Sequence, residues 1–180
     1  MATVVPISKV NYLICHVQYD EIVFARIGVS ALGELVFRDI DTRTANSSVD
    51  DIVKHFKEWS RRKSGTLVYC EEGIGHAIGA QVTKANLGRT VIAVRLRTRL
   101  MDGQYANVKA VAYGDIEHLS SRNAIYYLTP AQREGVEGYF AKDIQSLSTD
   151  GRIKYAKGRC GPLTLLALAA AAHRQHYHPF

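Results

Sequence analysis

Two adjacent glutamates, Glu71 and Glu72, end the short apolar run 66–70 (TLVYC) and are followed at once by Gly73 and Gly75. β-branched and aromatic residues after the breaker Ser64-Gly65 predict a strand, and the two glycines predict a sharp turn. Ala77, Ile78, Gln81, Val82 and Ala85 then mark one side of a helix that Gly88 closes. A carboxylate lifted out at the carboxyl end of a strand stands where open α/β sheets bind ligands. A solvated strand end is the plainer explanation of the same pair.

The basic residues have a pattern of their own. In 89–100 (RTVIAVRLRTRL) a buried strand turns into an alternating one, which puts Arg95, Arg97 and Arg99 on one face because side chains in a strand alternate. Positions two apart lie ~6.6 Å apart, close to the phosphate repeat of a single nucleic-acid strand. Such a row meets an anion or guards an exposed sheet edge. Lys154, Lys157 and Arg159 flank the segment 151–156, and Arg61, Arg62 and Lys63 end a predicted helix, where they suit the negative end of its dipole or a phosphate. Tyr126, Tyr127 and Tyr155 are stacking platforms for unpaired bases or core residues. His173, His176 and His178 have metal-binding chemistry, but a frayed exposed tail is the commoner outcome, so no metal site is assigned to them.

The chain has 180 residues, 23 Lys and Arg against 17 Asp and Glu, and a formal charge of +6. That excess favours a polyanionic partner. Length suffices for one domain over 1–180, with a flexible tail from about 174. The apolar run 163–172 is about half of the ~20 residues a membrane span needs, so no membrane partner is expected. The first ten residues lack the basic start and apolar core of a secretory signal. Cys15, Cys70 and Cys160 lack paired spacing and read as buried thiols in a reducing cytosol.

The elements that must position these groups follow in order. Runs at 10–17, 21–29 and 34–40, joined by short breaks, predict an antiparallel meander, and 41–48 reads as a polar turn. Ser48 caps a helix whose face is Val49, Ile52, Val53, Phe56 and Trp59. That helix is a crossover, so the strand 66–70 is expected parallel to the first. Helix 106–119, strand 124–128, a helix opened by Thr129-Pro130 and running to about 147, and a buried last helix over 162–173 complete the chain.

This order resembles the RNase H-like fold and, within it, the nuclease domain of phage large terminases. Val68-Tyr69-Cys70-Glu71-Glu72-Gly73-Ile74-Gly75 carries the resemblance, with Ala124-Ile125-Tyr126-Tyr127-Leu128, the helix after Thr129-Pro130, Gly151-Arg152-Ile153 and the Ala-rich last helix. It implies an α/β fold: an RNase H-like mixed sheet, a three-strand antiparallel meander plus parallel strands, with helices on both faces. It also implies two divalent metals held by acids from the first strand, the end of the fourth and the start of the last helix. Here the first strand reads Leu13-Ile14-Cys15-His16-Val17 and the last helix opens Gly158-Arg159-Cys160-Gly161-Pro162, so Glu71 alone stands at an expected place.

The reading that follows is a non-catalytic nucleic-acid-binding protein with no cofactor, in which Lys157 and Arg159 reverse the sign of the field in the former acid site. Single-stranded RNA is favoured over DNA, a description similar to nuclease-like RNA-binding proteins of large phages, which places the chain in the cytoplasm of an infected cell. Self-association or phage protein partners accompany that reading. The first alternative is a magnesium- or manganese-dependent nuclease or resolvase using Asp20, Glu71, Glu72 and Asp150. The second is a basic scaffold or assembly protein that meets an acidic protein.

Overall fold

The computed structural model describes residues 4–18, 21–44, 48–84, 88–101, 103–142, 144–156 and 160–177. Strands β1 (Ser8–Gln18), β2 (Glu21–Ser30) and β3 (Leu35–Thr44) form the expected antiparallel meander, with Ile14 opposite Ala25 and Ala25 opposite Ile40. Helix α1 (Val49–Ser60) follows; the Ser48 hydroxyl accepts the Asp51 backbone N–H at 3.2 Å, which satisfies one of the free amides of the first turn. The helix carries the chain back across the sheet, and β4 (Thr66–Cys70) lies parallel to β1, Tyr12 beside Thr66 and Cys15 beside Tyr69. After α2 (Gly75–Lys84), β5 (Val91–Val94) adds in parallel beside β4. Helix α3 (Val108–Ser121) leads to β6 (Ile125–Tyr126), parallel to β3, and the sheet order is β5-β4-β1-β2-β3-β6.

Alternation along β1 and β2 divides the core. Leu13, Cys15, Ile22 and Phe24 face α1 and α2, where they meet Ile52, Val53, Phe56, Ile78 and Val82. Phe24 stacks on Phe56 with ring centroids 5.7 Å apart. Tyr12, Ile14, Val23 and Ala25 face the other way, under α3, α4 (Pro130–Phe140) and α5 (Gly161–Tyr177). Helix α5 is apolar nearly all round, and Leu163, Leu166, Ala167 and Leu168 are fully enclosed between sheet and neighbouring helices. Each such leucine contributes roughly 1.5–3 kcal/mol by leaving water, so α5 is a main anchor of this layer.

Three elements differ from expectation. Strand β3 continues to Thr44 through residues read as a turn, because Asp41, Thr42 and Arg43 still pair with β2. Among the described residues β6 pairs with β3 only at Leu35 and Val36, and burial falls along β3 from the enclosed Leu35, Val36 and Phe37 to the exposed Thr42, Arg43 and Thr44. Helix α4 stops at Phe140, although its start is a full capping box between Thr129 and Gln132. Residues 145–147 instead form β7 (Gln145–Leu147), paired antiparallel with β8 (Ile153–Tyr155) in a two-stranded sheet. The turn between them passes through Gly151 at φ 76°, a conformation open to glycine. Finally, α5 runs to Tyr177, four residues past the expected end.

Candidate nucleic-acid interface

The end of β4 is set by close packing. The Glu71 N–H donates to the Val94 carbonyl at 2.8 Å, so the ladder with β5 runs one residue past the strand. At Gly73 the backbone turns with φ 60°. At Gly75 a Cβ would lie 1.7 Å from the Cys70 carbonyl oxygen, and at Gly79 another would lie 2.0 Å from the Tyr69 ring. These two glycines let α2 leave directly from the strand end and lie against it, and that packing accounts for them without a ligand.

The arginine segment is not a strand. β5 ends at Val94, and the chain turns at 95–98, with the Thr98 N–H donating to the Arg95 carbonyl at 3.2 Å. The single face expected for Arg95, Arg97 and Arg99 is therefore replaced by a turn in which each arginine meets an acid. Arg95 holds Glu71 with two hydrogen bonds, Nε to Oε2 at 2.7 Å and Nη2 to Oε1 at 2.8 Å. This fork-on-carboxylate geometry is the strong form of the pair. The Arg95 hydrogen bonds, then its charge and that of His76 (Nδ1 3.6 Å from Oε1), hold the Glu71 carboxyl below the usual range, against an opposing effect of burial.

Glu72 accepts the Arg97 backbone N–H at 2.7 Å and faces that residue's Nε at 3.1 Å. An acid that captures the backbone amide fixes the turn itself, which explains why alternation along the sequence misled. Arg99 reaches Asp150 at 3.1 Å. Asp150 also accepts from Arg152 and from the Ser148 hydroxyl, and these hydrogen bonds, Arg152 first, push its carboxyl far below the usual range. The guanidinium side chains of Arg95, Arg97 and Arg99 remain 63%, 88% and 72% exposed. Pairs this wet contribute little to folding stability.

The other predicted residues divide by location. Lys154, exposed on β8 opposite Ser146, lines a cleft with Arg97, Arg99 and Asp150 and so joins this region. Arg61, Arg62 and Lys63 precede β4 and lie at its other end. There Lys63 is used locally: it donates to the Trp59 carbonyl at 2.8 Å, sits 4.2 Å from the Trp59 ring centroid and pairs with Asp39 at 3.4 Å. Asp20, Lys157, Arg159 and His178 lie outside the described residues.

Cys15 faces α1 and α2, whereas Cys160 packs in the opposite layer, so the two do not converge. By alternation it is His16 that shares the face of Ile14; burial pushes its pKa down to about 4 and that of the Cys15 thiol up to about 12. His173 meets the Tyr12 hydroxyl through Nδ1 at 2.8 Å and belongs to the core packing of α5. The tyrosines are also built in: Tyr126 donates to Glu34, Tyr127 stacks on Phe37, and Tyr155 donates to Glu117 at 2.6 Å. Among the described residues no three His, Cys, Asp or Glu side chains gather as a metal-binding group.

No protein-family model matches the sequence, and no curated protein matches it. Solved structures do match. The large terminase nuclease from thermophilic phage G20c with bound magnesium is 15% identical, with a TM-score of 0.60 over 92% of this chain and 81% of that one. A variant nuclease domain of the large terminase subunit of bacterial virus Sf6, with manganese and beta-thujaplicinol, is 13% identical, with a TM-score of 0.64 over 92% and 89%. The chain has the fold of a large terminase nuclease domain. The RNase H-like α/β expectation therefore holds.

The expectation of no cofactor is corrected by the same comparison. Terminase nuclease domains of this shape were solved with magnesium, cobalt, manganese, zinc or calcium. The donors described here do not fit a pair of cations as they stand. Both oxygens of Glu71 face Arg95, Glu72 is engaged by Arg97, and Asp150 by Arg99 and Arg152. Each carboxylate would have to exchange a guanidinium for a metal. What the sequence reading missed is that the three acids of the nuclease alternative, Glu71, Glu72 and Asp150, are the counter-charges of the three arginines. Two glutamates at the end of one expected strand and three arginines at the end of the next gave part of that signal, and nothing in the sequence pointed to Asp150 as the third partner.

Proposed function

We propose that this chain binds single-stranded nucleic acid, RNA ahead of DNA, at the carboxyl end of β4 and β5, and that it does so without cutting the strand. Arg95, Arg97, Arg99 and Lys154 are the phosphate ligands in this reading. The observation that carries it is the arrangement of exposed guanidinium groups whose acid partners hold them in place from one side and leave the other side to solvent. An anion can be accepted on that open side while the carboxylates hold the arginines from the other. The net charge of +6 adds long-range attraction for a polyanion. The choice of RNA rests on the resemblance, since a terminase shape that no longer cuts has no part in DNA packaging.

Affinity for a short single-stranded RNA, measured against salt and beside DNA of the same sequence, tests this reading. Each phosphate contact contributes roughly 0.7 to the slope of log affinity on log salt, so four contacts predict a slope near 3. A flat salt dependence contradicts nucleic-acid binding, and equal affinity for DNA contradicts the RNA preference.

A metal-dependent nuclease is the second reading, favoured by the metal-bearing structures of the same shape. It predicts that strands are cut in manganese and spared by Glu71→Ala. The reading preferred here predicts intact strands in both.

A further inference from the structure

We propose that the cleft between the 95–99 turn and the β7–β8 turn binds the terminal phosphomonoester of a nucleic-acid strand, a reading that rests on the strand binding proposed above. The cleft has a volume of about 270 Å³ and is lined by Arg97, Arg99, Asn107, Thr149, Asp150 and Lys154. Ligand pockets for whole small molecules run from ~300 to 1,000 Å³, so this one suits a single phosphate with part of its ribose.

Charge selects a chain end over an internal position. Arg97, Arg99 and Lys154 line the cleft against Asp150 alone. Adding the nearest partners, Arg152 to Asp150 and Glu72 to Arg97, gives four cations against two carboxylates and the same excess of two positive charges. An internal phosphodiester carries one negative charge, whereas a terminal phosphomonoester carries roughly 1.5 to 2 near neutral pH. Lys154 has no ion-pair partner among the described residues and is the cation most open to an incoming group.

Neutral donors complete the lining. Asn107 uses its Oδ1 to accept the Ala110 N–H at 2.9 Å as the cap of α3, which leaves the amide NH₂ as its remaining donor. Thr149, in the β7–β8 turn that forms the opposite wall, also lines the cleft and carries a hydroxyl. That wall is pre-formed: Ser148 N–H donates to the Arg152 carbonyl at 2.8 Å, Gly151 N–H to the Ser148 carbonyl at 2.9 Å, and Arg152 N–H to the Ser148 hydroxyl at 3.0 Å. A phosphate arriving here meets donors that need little ordering.

The test uses the full chain and two sets of probes. One is a short single-stranded RNA carrying a 5′-phosphate, a 3′-phosphate or neither, read by fluorescence anisotropy. The other is a uridine dinucleotide with and without a 5′-phosphate or 3′-phosphate, read by amide chemical shifts at 148–154. One phosphorylated end is expected to bind about tenfold tighter than the hydroxyl end. That ratio should fall towards one in Lys154→Ala and Thr149→Val, and as pH drops through about 6, where the monoester loses its second charge. Inorganic phosphate should compete for the same amides.

Strands that bind with no preference for a phosphorylated end overturn the pocket and leave strand binding standing. A phosphorylated dinucleotide that shifts the 148–154 amides while longer strands fail to bind keeps the pocket and overturns strand binding. Failure of both probes overturns both.

Discussion

Two basic triplets lie at opposite ends of β4, and they read alike in the sequence. Arg61-Arg62-Lys63 closes α1 just before the strand, and Arg95, Arg97 and Arg99 follow its parallel neighbour β5. Five strand residues at ~3.3 Å separate the two ends by about 16 Å. At the first end Lys63 folds back onto the helix terminus, the Trp59 ring and Asp39. At the second end the arginines point outward and each is answered by a carboxylate. A positive residue at a helix end can be absorbed by its own element because the last turn offers free carbonyls, as Lys63 is, while Arg61 and Arg62 stay exposed. One in a turn beside a strand end must find its counter-charge elsewhere, and that arrangement leaves part of it available to a ligand.

The largest effect that separates the two ends should come from Arg95, Arg97 and Arg99 together. Their replacement by alanine is expected to flatten the salt slope for single-stranded RNA by about two units and weaken binding on the order of a hundredfold at low salt. An unchanged slope in a folded triple variant would return this turn to a structural role. Next in size is an effect on stability. Burial holds the His16 pKa at about 4 in the folded chain, below its value near 6.5 when unfolded. Between those values the unfolded state binds more protons, so stability is intact above pH 6.5, falls as pH drops to 4, and levels off below. The loss is at most about 3 kcal/mol, read as a falling urea midpoint that His16→Gln should flatten.

Glu71→Gln tests whether the acid competes with phosphate for Arg95. It is expected to raise RNA affinity about threefold, since one negative charge leaves the interface; weaker binding would mean that Glu71 orders Arg95 more than it competes for it. The smallest effects belong to the other end. Arg61→Ala with Arg62→Ala should change the salt slope by less than about half a unit. Lys63→Ala should cost about 1 kcal/mol of stability and leave RNA binding unmoved.

The meander, the α1 crossover and the parallel placement of β4 were legible because each is written in local signals: short breaks, the Ser48 cap and β-branched runs. Helices on both faces of the sheet followed from the RNase H-like resemblance, whereas the division of Leu13 and Cys15 from Tyr12 and Ile14 between two layers was not read from the sequence and is set by how the strands pair. The arginine turn was not. Strict alternation in RLRTR predicts a strand, but a carboxylate 25 positions away captures the Arg97 backbone N–H and a turn results. Likewise the apolar spacing that carried a helix through 147 was overridden by pairing of Gln145–Leu147 with Ile153–Tyr155, a partnership that local propensity does not encode. The candidate site was half legible: its residues could be named, but their pairing could not, because the partners come from β4, the β5 turn and the β7–β8 turn.

In the proposed complex, phosphates meet the guanidinium groups of the 95–99 turn. The most direct measurement follows the arginine side-chain Nε–H signals by two-dimensional nuclear magnetic resonance while a short single-stranded RNA is titrated into the full chain. Arg95, Arg97 and Arg99 should shift together and saturate with one affinity, while Arg61, Arg62 and the Asp115-bound Arg174 stay in place. Saturable shifts at Arg61 and Arg62, with the 95–99 turn unmoved, would contradict the account.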